Sequence, residues 1–413
     1  MIQMNPLFQI GVLVLQIFLY TGCIGQTGGN KAKQPKYNIQ TSPRVGGDCE
    51  EGYCELMYLG MPDKLSATDT SAGWYEAGQK LIVTGTIFHL DGKTPAANVI
   101  VYYHHTDNNG YYSRGNDKPE NQTRHGHIRG WVKTGVDGKY TIHTIRPAPY
   151  PDLSQPAHIH WLIKEPDVPN EYWTDDLVFD DDKLLLPFIK KNKPGNLGGS
   201  GIVRILVKDS IQIAEHNFIL GLNITNYPKP KLEPEIRSGL SIGEDQPSFG
   251  PFHVFGPDKG STACPVCKYG RYHGILFFAG DKIDWKEIKQ WLVFLEQEGV
   301  HRSKYLKVYF VFGNTNGNSN SELQVVLENI GRELGLEKTA LTLVPSYSDQ
   351  KSDALLNKIN PLAENTIIIY RHRTIIDKYI NLKPTANNFQ QIQQTLDQTS
   401  GANFTLPEIM HHD

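Results

Sequence analysis

The stretch PAHIHW places His158 and His160 two positions apart, and Tyr150 stands just upstream in the bend RPAPYP. On a β-strand, side chains at i and i+2 leave the same face, so both imidazoles can converge on one ion. The spacing is permissive. A solvated strand face or a hydrogen-bonded pair shows the same pattern, although imidazole is also the commonest metal ligand. Tyrosine narrows the choice of ion. A second candidate, Tyr112, lies in NNGYYSR after the strand-like VIVYYHH. A phenol with a pKa of about 10 ionises at neutral pH only beside a strong Lewis acid. Two phenolates with two imidazoles therefore suit a hard, highly charged ion, for which Fe(III) is the natural partner.

These residues need a scaffold that brings a loop, a bend and a strand together. From about residue 75 to 226 the sequence reads as strands separated by Gly, Asp and Pro turns, including Asp91-Gly92 and Asp137-Gly138. No amphipathic helix interrupts it, which predicts an all-β sandwich over residues 46–226. A Pro-rich, aperiodic stretch then predicts a linker over 227–245. Beyond it, strand-like GILFFAG, KVYFVFG and TALTLVP alternate with helix-like DWKEIKQWLVFLEQEG and SELQVVLENIGRELGL. The hairpin-like NTIIIYRHRTIIDKYINL and a last helix follow. This is the pattern of a small α/β domain over 246–400, with 401–413 as a tail.

Composition sets the surroundings. At 413 residues the chain is long for one domain. Its net charge of −3, with no run of Lys or Arg, argues against a nucleic-acid partner. The apolar N-terminal segment has signal-peptide length, predicting export with residues 1–22 removed. It ends in LYTGC, which resembles the lipobox of bacterial lipoproteins and would make Cys23 a lipidation site. Residues 23–45 then read as a flexible tether, and a lipid anchor is the expected membrane contact at the bacterial cell envelope. Two departures from that pattern stand in the sequence: no Lys or Arg precedes the apolar run, and Tyr20 replaces the usual aliphatic residue. Cys49 and Cys54 form a close pair, most simply a disulfide in an oxidising compartment. Nothing in the sequence specifies an oligomeric state.

The stretches VTGTIFHLDGKTPAANVIVYYHHTDNNGYYS, RGWVKTGVDGKYTIHTIRPAPYP and PAHIHW together resemble the intradiol ring-cleavage dioxygenases, over roughly residues 80–185. Members of that family bind non-haem Fe(III) through two tyrosines and two histidines. Carried over by motif context, the ligands implied are Tyr112, Tyr150, His158 and His160, with Tyr112 favoured over Tyr111 by its position after Gly110. The resemblance implies cleavage of a catecholic ring between its two hydroxylated carbons, with O2 as co-substrate. It also implies that Tyr150 is the ligand displaced by substrate and that Tyr112 stays. The residue preceding P-A-H-x-H is usually arginine in the family and helps stabilise carbanionic substrate. Here it is Gln155, which can donate a hydrogen bond but no charge. Arg124, Arg129 or Arg146 could supply that charge from elsewhere.

Cys264 and Cys267 form a C-x-x-C in TACPVCKYG. The order of elements that follows resembles a thioredoxin or redoxin fold. In thioredoxins, however, the motif follows the first central strand, and here it precedes GILFFAG. A structural disulfide, redox exchange and metal binding all remain open for this pair. Three functions follow: an intradiol dioxygenase, an iron-binding sandwich without turnover, or a thiol–disulfide oxidoreductase acting through Cys264 and Cys267.

Overall fold

The computed structural model describes residues 43–47, 50–115, 123–228, 236–314, 317 and 319–409. The expected signal peptide, Cys23, most of the tether and Cys49 lie outside the described residues. Strands β1 (Thr68–Thr70), β2 (Lys80–Phe88), β3 (Ile100–His105), β4 (Arg129–Lys133) and β5 (Lys139–Ile145) precede the histidine strand β6 (His158–Lys164). After it come β7 (Tyr172–Trp173), β8 (Leu177–Phe179), helix α1 (Leu185–Lys191), β9 (Ile202–Val203), β10 (Ile205–Lys208), β11 (Ile211–Glu215) and β12 (Phe218–Ile219).

One sheet has the order β1-β5-β2-β11-β10 with β12 on β2, and the other β4-β3-β6-β8-β9 with β7 on β6. Each Asp-Gly turn hands the chain between sheets, since β2 and β3 lie in different sheets, as do β4 and β5. Val83 and Ile87 of β2 share one core with Val101 and Tyr103 of β3 and Trp161 of β6. That shared core makes the pair of sheets a sandwich. Helix α1 corrects the expectation of a region without helices. Its seven residues, LLPFIKK, are too few to display a helical period. Asp182 ties it to the start of β6, accepting hydrogen bonds from the backbone N–H groups of Leu184 and Ala157, each at 2.8 Å.

The C-terminal half contains β13 (Phe252–Phe255), α2 (Pro265–Tyr269), β14 (His273–Ala279), α3 (Trp285–His301) and β15 (Leu306–Gly313). It continues with α4 (Asn320–Leu334), β16 (Thr339–Val344), β17 (Asn365–Arg371), β18 (Thr374–Ile380) and α5 (Ala386–Ser400). The sheet order is β13-β16-β15-β14-β17-β18, with β14, β15 and β16 parallel and the others antiparallel to their neighbours. Every residue of β14 is buried. Ile275 and Phe277 face a cluster that includes Trp291, Leu292 and Leu295 of α3, while Leu276 and Phe278 face a second one. A strand covered on both faces reads as a continuous apolar run, as GILFFAG does.

The halves are less separate than a linker over 227–245 implies, because the described residues from Pro43 onward form one compact unit. Residues 236–245 are packed: Ser238 bonds the Thr366 hydroxyl at 2.6 Å, and Leu240 joins the apolar cluster containing Phe249. Arg371 pairs with Glu215 and Lys93 with Asp377, both at 2.6 Å, across the two halves. The expected tail also returns to the sandwich, where Pro407 O accepts from Val207 N at 2.8 Å. Residues 236–245, IRSGLSIGED, follow the last proline of the expected linker, and their apolar and hydroxyl side chains find partners in the C-terminal sheet.

Cys264 caps α2 and Cys267 follows within it, with sulfurs at bonding distance and Cα atoms 5.3 Å apart. Cys54 is buried and disulfide-bonded. The Cys264–Cys267 pair stands ahead of β14; Cys264 packs against the apolar cluster of the C-terminal sheet, while Cys267 is exposed. Replacing both with serine is expected to leave the metal content of the sandwich unchanged. The loss of stability should fall below the typical 2–4 kcal/mol, because so short a loop restricts the unfolded chain little. Metal analysis and thermal unfolding of the double variant check this.

Candidate metal centre

Strand β6 puts His158 and His160 on one face, and two irregular segments bring the tyrosines to them. Gly110 makes this possible. Its φ is +84°, and a Cβ there would lie 2.1 Å from Pro149 O, so only glycine lets the loop before Tyr112 rest on the bend before Tyr150. The result is a closed ring of four donor atoms. Tyr112 Oη lies 3.0 Å from Tyr150 Oη, and Tyr150 Oη lies 3.1 Å from His158 Nε2. His158 Nε2 lies 3.1 Å from His160 Nε2, which is 3.0 Å from Tyr112 Oη.

Both histidines are oriented from behind. His158 Nδ1 is 2.7 Å from Pro156 O, and a carbonyl can only accept, so Nδ1 carries the proton and Nε2 keeps its lone pair. His160 Nδ1 is held by Asp176 Oδ1 at 2.8 Å, giving the same tautomer. Burial opposes charge on Asp176, but His160, its hydrogen bond and His158 more than offset this, so its carboxyl sits below the usual carboxylate range. Asp176 clusters with the two histidines, yet it bonds the nitrogen of His160 that faces away from the ring. It is therefore an outer partner and does not complete a two-histidine, one-carboxylate set.

The donor set fits a ferric ion. Two ligands at right angles on bonds of about 2.1 Å are about 3.0 Å apart, which matches the ring edges. Burial, and then the neighbouring Tyr150, push the Tyr112 phenol well above its ordinary range. Without a cation at the centre the Tyr112 phenol therefore keeps its proton; a hard ion supplies the reason for a phenolate there.

Behind the ring stands a column of rings that sequence reasoning missed. His104 stacks on His160 with centroids 4.7 Å apart and on His125 at 3.7 Å. His104 is the direct partner of His160 in the β3–β6 register. Burial, and next the facing imidazoles, hold the pKa of His104 well down, and His125 is lowered to about 3, so both are neutral. The doublet in VYYHH was a signal for His104, but Asp176 stands in a TDD run with no diagnostic spacing.

Gln155 lines a cavity of about 200 Å³ together with His158 and Asp176. Among the proposed charge donors, Arg146 is held by Asp181 through two hydrogen bonds of 2.6 Å, and the Arg129 guanidinium lies over the Trp131 ring at 5.6 Å. A larger cavity of about 320 Å³ lies between the two halves and is lined by none of the four donors.

Residues 59–200 match the Dioxygenase family model. The chain is 32% identical to catechol 1,2-dioxygenase 1 of Acinetobacter lwoffii over 99 residues, covering 20% of this chain and 31% of that protein. It is 32% identical to catechol 1,2-dioxygenase of Acinetobacter baylyi over 124 residues, covering 26% of this chain and 39% of that protein. The chain thus spans less than two-fifths of the length of these curated relatives. Among solved structures, the dioxygenase domain of a dioxygenase carbohydrate-binding protein fusion from Streptomyces sp. SirexAA-E is 23% identical, with a TM-score of 0.31, covering 43% of this chain and 97% of that one. The segment holding all four donors is therefore similar to the intradiol dioxygenases of the catechol 1,2-dioxygenase kind.

Proposed function

We propose that the chain is an exported, non-haem Fe(III) intradiol dioxygenase that opens a catecholic ring between its hydroxylated carbons. The observation that carries this reading is the closed ring formed by Tyr112, Tyr150, His158 and His160. A bound ferric ion would supply Lewis acidity and accept electron density from a catecholate, preparing the ring for O2. The protein's own residues do the rest. Tyr150 sits on a bend and not on a strand, so it is the ligand best able to swing away, and its oxygen can take a proton from the entering catechol. Tyr112 is held by the Gly110 loop and stays. Asp176 and Pro156 keep both imidazole lone pairs aimed inward. Gln155 offers an amide hydrogen bond at the cavity wall.

Lipidation at Cys23 and residence in the cell envelope belong to the same proposal. So does a redoxin-like character for the C-terminal half, supported by the order β16-β15-β14-β17-β18 with α3 and α4 as crossovers. A second reading, an iron-binding sandwich without turnover, is favoured by Gln155 standing where the family usually has arginine.

The test is oxygen uptake by the iron-loaded full chain with catechol. Uptake with a ring-opened dicarboxylic product supports the enzyme; tightly bound iron with neither uptake nor product favours the second reading. Gln155→Arg is expected to raise uptake by an amount on the order of 1.5–3 kcal/mol in barrier, the scale of a charge-assisted hydrogen bond. An unchanged rate with iron retained would mean that the reaction does not draw on a cation at that position.

A further inference from the structure

Arg129 is a buried cation whose charged end has no acceptor. It is 7% exposed, and among the described residues neither of its terminal nitrogens finds a hydrogen-bond partner. Arg146, by contrast, is held by Asp181. A guanidinium keeps its proton in proteins, and burying one without an acceptor is costly, so packing over Trp131 does not by itself account for it.

The sheet register gives the charge a direction. Arg129 of β4 stands directly opposite His104 of β3, and His104 directly opposite His160 of β6. Opposed residues leave the same face, so the three side chains form one row that ends at the metal centre. His104 stacks on His160 while its own Nδ1 is buried without a partner, so the influence along the row is electrostatic and not a hydrogen-bonded relay. Neighbours on this face feel the charge. Burial pushes the Tyr102 phenol up to about 12 against the pull of Arg129, and burial, then His160, then Arg129 hold His125 at about 3. On the far side Asp176 bonds His160 Nδ1, so His160 lies between a carboxylate and a guanidinium.

We propose that Arg129 is a positioning charge behind His160 that raises the reduction potential of the bound iron, making a ferric ion a stronger acceptor of electron density. This rests on the iron-centre reading above. Two strand spacings of about 4.8 Å separate the backbones of Arg129 and His160, or about 10 Å in all. Ferric and ferrous ions differ by one unit of charge. At that distance and an effective dielectric of about 20, a fixed cation disfavours the ferric form relative to the ferrous form by about tenfold. Asp176 acts in the opposite sense, since a carboxylate behind a metal-bound histidine makes the imidazole a stronger donor.

The experiment is a redox titration of the iron-loaded full-length protein, followed by the visible absorbance of its ferric form, for wild type, Arg129→Met and Arg129→Lys. Arg129→Met should lower the midpoint by about 59 mV, the equivalent of tenfold for a one-electron couple. Arg129→Lys keeps the charge and should stay near wild type. Thermal unfolding of the metal-free proteins separates charge from bracing. Arg129→Met removes a buried unpaired charge and keeps an apolar stem over Trp131, so it should unfold no earlier than wild type. Arg129→Gln supplies a second neutral side chain if Arg129→Met does not fold. A midpoint unmoved in the neutral variants, or moved equally by Arg129→Lys, overturns the inference and leaves the iron-centre reading standing. A wild type that takes up no iron overturns both.

Discussion

Replacing Tyr112 and Tyr150 together with phenylalanine removes the visible colour of the iron-loaded protein. A red to burgundy band is expected of the wild type because two phenolates facing a ferric ion donate charge to it, and phenylalanine has no oxygen to donate. The two oxygens lie 3.0 Å apart on the ring of donors, so neither can be replaced by a neighbour without moving the chain. Tyr111 is adjacent in sequence but exposed, and offers no rescue. The single variants should differ. Tyr150→Phe keeps the oxygen braced by the Gly110 loop and retains part of the band. Tyr112→Phe loses the ligand that touches His160. Absorbance spectra read beside iron content decide the matter, and a wild type that binds iron but remains colourless would sink the assignment of phenolate ligands.

Asp176→Asn should weaken iron binding by about 10–100-fold, the usual cost of losing an outer partner of a metal-bound histidine. The physical reason is the proton on His160. A carboxylate can only accept, so it keeps that proton on Nδ1 and leaves Nε2 free for the metal. An asparagine can turn its amide so that the NH2 faces Nδ1, which favours the tautomer with the proton on Nε2 and blocks ligation. Competition with a coloured chelator measures the loss. Asp152→Asn, an exposed carboxylate two residues after Tyr150, serves as the control and should change little. Equal affinities for wild type and Asp176→Asn would mean that stacking on His104 alone orients the His160 ring.

Much of this protein is written in local spacing. The period of two in HIHW fixes which side chains of β6 share a face, so the pair His158 and His160 follows from the strand alone. The continuous apolar runs at β14, β15 and β17 and the amphipathic helices between them declare a sheet covered on both sides, whatever the rest of the chain does. Tertiary structure decided what depends on contacts between distant residues. Tyr112 reaches Tyr150 because the Gly110 backbone rests on Pro149. His104 lies behind His160 because β3 pairs with β6 in one register, and a shift by one residue would put a different side chain there. Asp176 stands directly before the short strand β8, whose placement no periodicity announces. The packed stretch 236–245 and the returning segment at Pro407 depend on partners far along the chain, Thr366 and Val207, that neither segment's own sequence names. Periodicity records how a segment meets a surface. Which surface it meets is settled by burial, register and paired charges across the whole chain.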